Sequence, residues 1–343
     1  MLETMAATDT DRLHEEYRTL SESCGLIDRS ERGKLALTGA GAVEFLNGQV
    51  TNELADLRPG EGCYAAFLTH KGKMLGDLRI LAVGDDPTGE ETPKHAPDEL
   101  LLDTERVALQ ALFDMIRRFK VGYDVELHKR TLERGLLSLI GPRSREVAAD
   151  AAGIETAAIP ETEHAHVSAR IAGHPARLIA TDTAGVDVLC NSEDLDAVRA
   201  ALQQAGAHPA SEQAAEIVRV ERGRPRYGVD VDDTTIPQEA GLNERAVSFS
   251  KGCYVGQETV ARLYYRGKPN RHLRGLRLSD PATPGEELRT CERVVGHLTS
   301  VALSPTLGPI ALALVRREAE PGATVRVGED GIAATVAELP FDL

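Results

Sequence analysis

The chain has 343 residues, with 39 Lys plus Arg against 54 Asp plus Glu and a formal net charge of −15. With 42% hydrophobic and 27% charged residues it has enough apolar side chain to offset chain entropy, which excludes wholesale disorder. Its acidity speaks against a general nucleic-acid coat, and its length fits about two or three domains.

Residues 11–24 predict a helix, because Leu13, Tyr17, Leu20 and Cys24 recur on one face. Residues 33–38 read as a strand and 41–56 as a short helix carrying Val43, Phe45, Leu46 and Val50. Cys63–Leu68 and Met74–Val83 read as two strands of a hairpin turning at His70-Lys71-Gly72-Lys73. Residues 85–99, rich in acid and proline, read as a solvated loop, with a strand from Glu99. Thr104 is expected to cap a helix bearing Leu112, Met115, Ile116 and Phe119. Strands are expected at Val121–Leu127 and Leu136–Ile140, a short helix after Gly141-Pro142, and paired strands over 165–190. Ser192 and Ser211 each read as the cap of a helix. From Arg274 onward, short β segments alternate with Gly and Pro, the pattern of a small barrel. The charge-free run between Arg293 and Arg316 is long enough for a membrane span, but Ser304-Pro305 and Gly308-Pro309 break it into two strands and a turn.

Five cysteines occur at spacings that match no zinc or iron–sulfur ligand pattern, and they read as reduced thiols of a cytoplasmic protein. There is no apolar leader in the first twenty residues. His164 and His166 form the one close histidine pair; alternation puts both on one strand face, read as surface. Dinucleotide, Walker, nucleophile-elbow and zincin motifs are missing.

Charge singles out residues 245–277. Eight basic groups there face one acid, Glu258, so the segment is 8 − 1 = +7 and the rest of the chain −15 − 7 = −22. Tyr254, Tyr264 and Tyr265 are interleaved with the charges. This mix suits a ligand with a flat ring and an anionic tail, or a single strand of nucleic acid; scattered surface ion pairs are the plainer reading. Within it lies Lys251-Gly252-Cys253-Tyr254-Val255-Gly256-Gln257-Glu258. A lysine two residues away and nearby arginines favour the thiolate, so Cys253 is the one cysteine with a case for reactivity; otherwise it is a small buried residue.

Ile236-Pro237-Gln238-Glu239, Phe249–Glu258, Val260-Ala261-Arg262 and Arg266-Gly267-Lys268 together resemble the signature of the YgfZ-type folate-binding proteins, relatives of the aminomethyltransferase (T-protein) of the glycine cleavage system. Weaker likeness runs through Asp28-Arg29-Ser30, Phe45–Asn52, Lys71-Gly72-Lys73-Met74 and Arg219–Gly223 with Tyr227-Gly228. The resemblance implies an α+β, three-part cloverleaf-like aminomethyltransferase fold around a central cleft, closed by a C-terminal small β-barrel. It implies residues 1–55 and 140–268 as a discontinuous folate-binding region, 56–139 as an inserted domain and 269–343 as the barrel.

It further implies tetrahydrofolate or a one-carbon derivative as ligand, and a role supporting assembly or repair of iron–sulfur proteins, including tRNA-modifying enzymes. Arg219, Tyr254, Gln257 and Arg262 would bind folate, the basic segment its glutamate tail, while Cys253, Lys251 and Asp77 carry chemistry. On this reading the Cys253 loop faces the pterin-binding hollow. An aminomethyltransferase acting from a lipoyl carrier, and a tRNA-binding module, are the alternatives; no membrane partner is expected. T-proteins carry an Asp-Asp pair where this chain has Gly76-Asp77, and the missing carboxylate reads as the catalytic one. They also hold the pterin with a glutamate in a stretch matching Thr181–Asp187, where only Asp182 and Asp187 can substitute.

Overall fold

The computed structural model describes residues 2–84, 97–182, 185–291, 293–329 and 331–342. The first half runs α1 (Leu2–Glu22), β1 (Gly25–Asp28), β2 (Gly33–Thr38), α2 (Ala42–Asn47), β3 (Gly62–Leu68), β4 (Met74–Val83), β5 (Glu99–Thr104), α3 (Leu109–Phe119), β6 (Glu126–Lys129), β7 (Arg134–Ile140) and α4 (Ser144–Ala152). There follow β8 (His166–Ile171), β9 (His174–Ala180), β10 (Val186–Asn191), α5 (Leu195–Gln204), β11 (His208–Pro209), α6 (Glu212–Glu221), α7 (Asn243–Ala246) and α8 (Gln257–Arg266). The last strands are β12 (Arg271–Leu278), β13 (Glu287–Thr290), β14 (Arg293–Ser304), β15 (Gly308–Arg316), β16 (Thr324–Val327) and β17 (Ile332–Ala337).

The strands form three units: a five-stranded sheet β3-β4-β5-β2-β6, a six-stranded sheet β11-β1-β7-β10-β9-β8, and a closed barrel β12-β15-β14-β13-β16-β17. The mixed α/β body with its C-terminal barrel is the architecture the sequence predicts. The sheets divide the chain at other residues than a cut at 55 and 139. β2 pairs with β5 and β6 in the five-stranded sheet, while β1 pairs with β7 in the six-stranded one.

Local differences have simple causes. Thr104 ends β5 rather than capping a helix; its hydroxyl donates to the Asp77 carbonyl, and the helix begins at Leu109 after a single 3-10 turn. The strand expected at Val121–Leu127 starts only at Glu126. β1 escaped the sequence reading because four residues are too few to show a period. Ser211 does cap α6, accepting from the Ala214 N–H. The acidic loop prediction falls largely on residues 85–96, outside the described residues.

Each sheet buries one face. Met74, Leu78 and Ile80 of β4 pack with Phe45, Phe67, Leu112 and Ile116 in the first core, and Val186, Val188 and Cys190 of β10 pack with Val147 and Val198 in the second. By the two-residue period of a strand, Asp77, Arg79 and Leu81 turn the other way. There the two sheets meet, through a small apolar contact of Ala36, Leu81, Leu101 and Ile179 and through charge. Arg79 pairs with Asp103 on its own sheet (2.8 Å) and with Asp187 on the other (2.6 Å). α6 packs with α1 and the barrel strands in a third core containing Tyr17, Ile217, Leu273 and Leu312.

Buried charge tolerates loss of a partner poorly. Burial raises the Asp103 pKa, but Arg32 and Arg79 more than offset it and hold it below the usual range. We expect Arg79→Met to lower stability in urea at neutral pH by about 3–5 kcal/mol. The loss should shrink on acidification. The native protein gives up its paired-carboxylate stability as pH falls, whereas the variant gains by protonating Asp103.

A central cavity between two sheets and a helix end

Between the exposed faces of the two sheets and the C-terminal end of α6 lies a cavity of about 310 Å³. Its walls are polar by construction: Tyr64, Asp77, Arg79 and Asp103 come from β3–β5, Asp187 from β10, and Arg219 to Tyr227 from α6 and the segment after it.

Asp77 is buried, 5% exposed, and takes a 2.6 Å hydrogen bond from the Tyr64 hydroxyl. Burial is the largest influence on its carboxyl. With repulsion from Glu105 and Asp103 it outweighs Tyr64 and Arg32, and the pKa is pushed up to about 6. Burial and the neighbouring Asp77 also raise the Tyr64 phenol well above its ordinary value, so it stays protonated and donates. A carboxyl titrating near neutrality on a cavity wall is a group suited to moving a proton.

The position of Asp77 corrects the expectation about the missing acid. A Cβ on Gly76 would lie 2.6 Å from the Phe67 ring and 2.7 Å from the Ala108 side chain, on the packed side of β4. The carboxylate retained by this chain is therefore the one that faces the cavity.

The other expected residues divide sharply. Arg219 lines the cavity but is spent on Glu216, Asp230, Ser300 and the Arg224 carbonyl. Lys251 turns into the fold. It is buried, and its Nζ donates among four oxygens: the carbonyls of Asn47, Val50 and Asn52 and the Asn47 side chain. Burial pushes its pKa down to about 8. Tyr254 packs in the first core beneath the Lys251 ammonium rather than offering a stacking face. Gln257 opens α8 and donates to the Gly252 carbonyl. Arg262 is exposed on α8, and Cys253 is exposed; neither lines the central cavity. The loop was expected to face the hollow. Instead Val255 bonds to Gly48, and a Cβ on Gly256 would lie 2.7 Å from the Thr69 carbonyl, so the loop is held over the β3–β4 hairpin.

The +7 segment is neutralised in part. Arg245 pairs with Glu163, Arg271 with Glu239 and Arg274 with Glu338, leaving Arg262, Arg266, Lys268 and Arg277 exposed, the first three near Tyr264 and Tyr265 in the chain. Asp182 and Asp187 both reach the cavity, the first paired to Arg224 and the second to Arg79 with a hydrogen bond from Ser138.

Sequence reasoning gave no role to much of the cavity wall, Tyr64, His164 and Arg222 among it. Tyr64 had no signal beyond its place in the hairpin. His164 was read as surface with His166, yet it precedes β8, turns with φ +70 and lines the cavity, its Nε2 3.2 Å from Glu163 but out of hydrogen-bond alignment. Burial works against the Glu163 carboxylate, but His164 and Arg245 more than offset it, and its pKa drops to about 2. His166 is buried, 4% exposed, and burial lowers its pKa to about 4. Arg222, inside the quoted Arg219–Gly223 stretch, also lines the cavity and has no carboxylate partner among the described residues. Among the described residues no cluster of acidic, histidine or cysteine side chains fits a metal, and no helix is long and apolar enough to cross a membrane.

Comparison with known proteins agrees with this architecture. Residues 6–251 match the GCVT N-terminal domain, and residues 271–342 the glycine cleavage T-protein C-terminal barrel domain. The aminomethyltransferase of Thermotoga petrophila is 28% identical over 96% of this chain and 89% of its own length. A putative chloroplastic transferase of Arabidopsis thaliana is 29% identical over 92% of this chain and 71% of its own. The crystal structure of glycine cleavage system aminomethyltransferase T from Bartonella henselae superposes with a TM-score of 0.83 at 23% identity, covering 96% of this chain and 89% of that one. The chain belongs to the glycine cleavage T-protein family.

Lys251→Ala strips a donor from four oxygens and should cost about 2–4 kcal/mol in urea denaturation. Arg262→Ala, on an exposed helix face, should change stability by no more than about 0.5 kcal/mol.

Proposed function

We propose that the central cavity binds a reduced folate and that Asp77 serves one-carbon transfer to it, the aminomethyltransferase reading of the family. The observation that carries this is the direction of Asp77: buried, turned into the cavity, hydrogen-bonded by Tyr64 and titrating at about 6. Relatives named aminomethyltransferase, aligned over nearly the whole chain, support the same reading.

The residues present fit such a ligand. The cavity volume of about 310 Å³ lies within the range of small-molecule sites. Tyr64 supplies an aromatic edge beside the Arg245 guanidinium, whose carbon sits 5.2 Å from the ring centroid. Bound folate supplies the nitrogen that accepts the one-carbon unit. Asp77 takes the proton that this nitrogen gives up, and the Tyr64 hydroxyl fixes which carboxylate oxygen is free to do so. The sheets on either side keep water from competing.

The test joins binding to turnover. Titration with folinic acid should saturate, and Asp77→Asn should keep affinity within a few-fold while ammonia release from an aminomethyl-loaded lipoyl carrier falls at least ~100-fold. In the native protein kcat/KM should rise with pH through about 6, as the base form of Asp77 appears, and Asp77→Asn should abolish that limb. Absence of saturable folinic acid binding would overturn the proposal.

A second reading draws on Cys253. Its exposure on the outer loop, away from the cavity, is what a folate-binding accessory protein for iron–sulfur enzymes, tRNA-modifying ones among them, would need in order to present a thiol to another protein. In a strain lacking the gene, this reading expects Cys253→Ala to fail to restore iron–sulfur enzyme activity while Asp77→Asn succeeds. The opposite pattern favours aminomethyl transfer.

A further inference from the structure

Within the charged segment 245–277, the fold leaves the outer face of α8 uncommitted. The inner side of the helix is set by Val260, fully buried in the first core, with Leu263 half-buried a turn later. Helical periodicity then turns Glu258, Arg262, Tyr265 and Arg266 outward, and all four are exposed. Arg262, Arg266 and Lys268 make no ion pair or side-chain hydrogen bond among the described residues, unlike Arg245, Arg271 and Arg274. Glu258 is the one carboxylate in α8. The β3–β4 hairpin extends the cationic surface. A Cβ on Gly72 would lie 2.8 Å from the Thr259 side chain, so the turn carrying exposed Lys71 abuts the face that runs on to Arg262 and Arg266.

The negative end of a helix accounts for Arg266 in the last turn. It does not account for the rings beside it. Phe249, half-buried against the first core, stacks on Tyr264 with ring centroids 3.7 Å apart and planes 16° from parallel. Tyr265 stands edge-on to both, 5.0 Å from Tyr264 and 6.4 Å from Phe249. Tyr264 is 51% exposed and Tyr265 66%. Neither tyrosine hydroxyl has a hydrogen-bond partner among the described residues. The platform is thus anchored through Phe249, and its outermost ring is left in water.

Cations in a row beside open rings are the two parts of a single-strand site: the cations follow the phosphates and the rings take base faces. Arg262 and Arg266 are about 6 Å apart along the helix axis, a step that successive phosphates of an extended strand can match. A duplex has no free base face to offer. An acidic protein surface would use the cations and leave the ring faces without a purpose. The −22 carried by the rest of the chain is screened beyond about 10 Å at 0.1 M salt, so it opposes wrapping by a long polyanion and not a local contact.

We propose that the outer face of α8 binds an unpaired nucleic-acid strand, with a base stacked on Tyr265 and phosphates held by Arg262, Arg266 and Lys268. None of these residues lines the central cavity, so the site is independent of the folate reading.

Fluorescence anisotropy with a labelled oligouridylate of about twelve nucleotides, on the full chain at about 0.1 M salt, should saturate. Oligothymidylate should bind within a few-fold, and duplex RNA of the same length at least ~10-fold more weakly. Tyr265→Ala should lower the affinity by about tenfold, and Tyr265→Phe, which keeps the ring, should retain most of it. Changing Arg262 and Arg266 together to Gln should flatten the slope of log affinity against log salt by about 1.4. All these side chains are exposed, so each variant should keep the native urea midpoint. No saturable binding of either strand would overturn the proposal, as would a duplex bound as tightly as the single strand. Polyglutamate binding as tightly as oligouridylate, with Tyr265→Ala changing neither, would overturn it in favour of an acidic protein partner.

Discussion

Arg79 ties the two sheets together where neither has enough apolar surface to do so. The apolar contact between them is small: four buried side chains, Ala36, Leu81, Leu101 and Ile179, with Val83 and Leu189 packed against them. Beside it the sheets meet through a guanidinium spanning Asp103 and Asp187, with Arg32 completing the charge on Asp103 and Ser138 the hydrogen bonding of Asp187. Ions taken out of water are tolerable only when matched, and the rest of the cavity wall obeys that rule. The matched charges are structure. Among its buried and half-buried charges, the two that escape matching are Asp77, a buried carboxylate with a phenol rather than a cation on it, and Arg222, a guanidinium without a carboxylate. What the electrostatic balance leaves over is one carboxyl group within the sheet and one guanidinium cation at the helix end.

Leaving Asp77 without an ion pair has a direct chemical effect. An adjacent guanidinium would hold its carboxyl below the usual range, as happens to Asp103 one strand away. With a neutral phenol as its hydrogen-bond donor, burial dominates and the carboxyl titrates at about 6. The two aspartates share a sheet face and are both buried, so their opposite behaviour comes from partner chemistry rather than depth.

The barrel, the β3–β4 hairpin, the strands over 165–190 and the Ser211 cap were legible in the sequence because each is set by local pattern: period, turn glycine, capping hydroxyl. The side of β4 on which Asp77 lies was legible too. Met74, Gly76, Leu78 and Ile80 alternate with Leu75, Asp77, Arg79 and Leu81, and the apolar set with its glycine marks the packed face. Reading the glycine as a lost carboxylate obscured that. The fate of Lys251 was not legible, since its acceptors at Asn47, Val50 and Asn52 lie some two hundred residues earlier. Nor was the freedom of Arg222, because an unpaired charge is defined only once every possible partner has been placed.

The octapeptide from Lys251 to Glu258 illustrates how a motif divides between folding and chemistry. Lys251 saturates carbonyls at the end of α2 and in the turn after it, and Tyr254 fills the core beneath that ammonium. Gly256 adopts φ +86 where its backbone passes so close to Thr69 that a side chain would collide, and Gln257 begins α8. These four residues are required by the way the loop is pinned to the β3–β4 hairpin, whatever the protein does. Cys253 is explained by none of this: it is exposed on a loop whose flanking residues are fixed. A residue that the fold does not need, held in place by neighbours that the fold does need, is the part of the motif whose identity has to be sought in chemistry. Because Cys253 lies outside the cavity that Asp77 lines, the two positions can be altered independently.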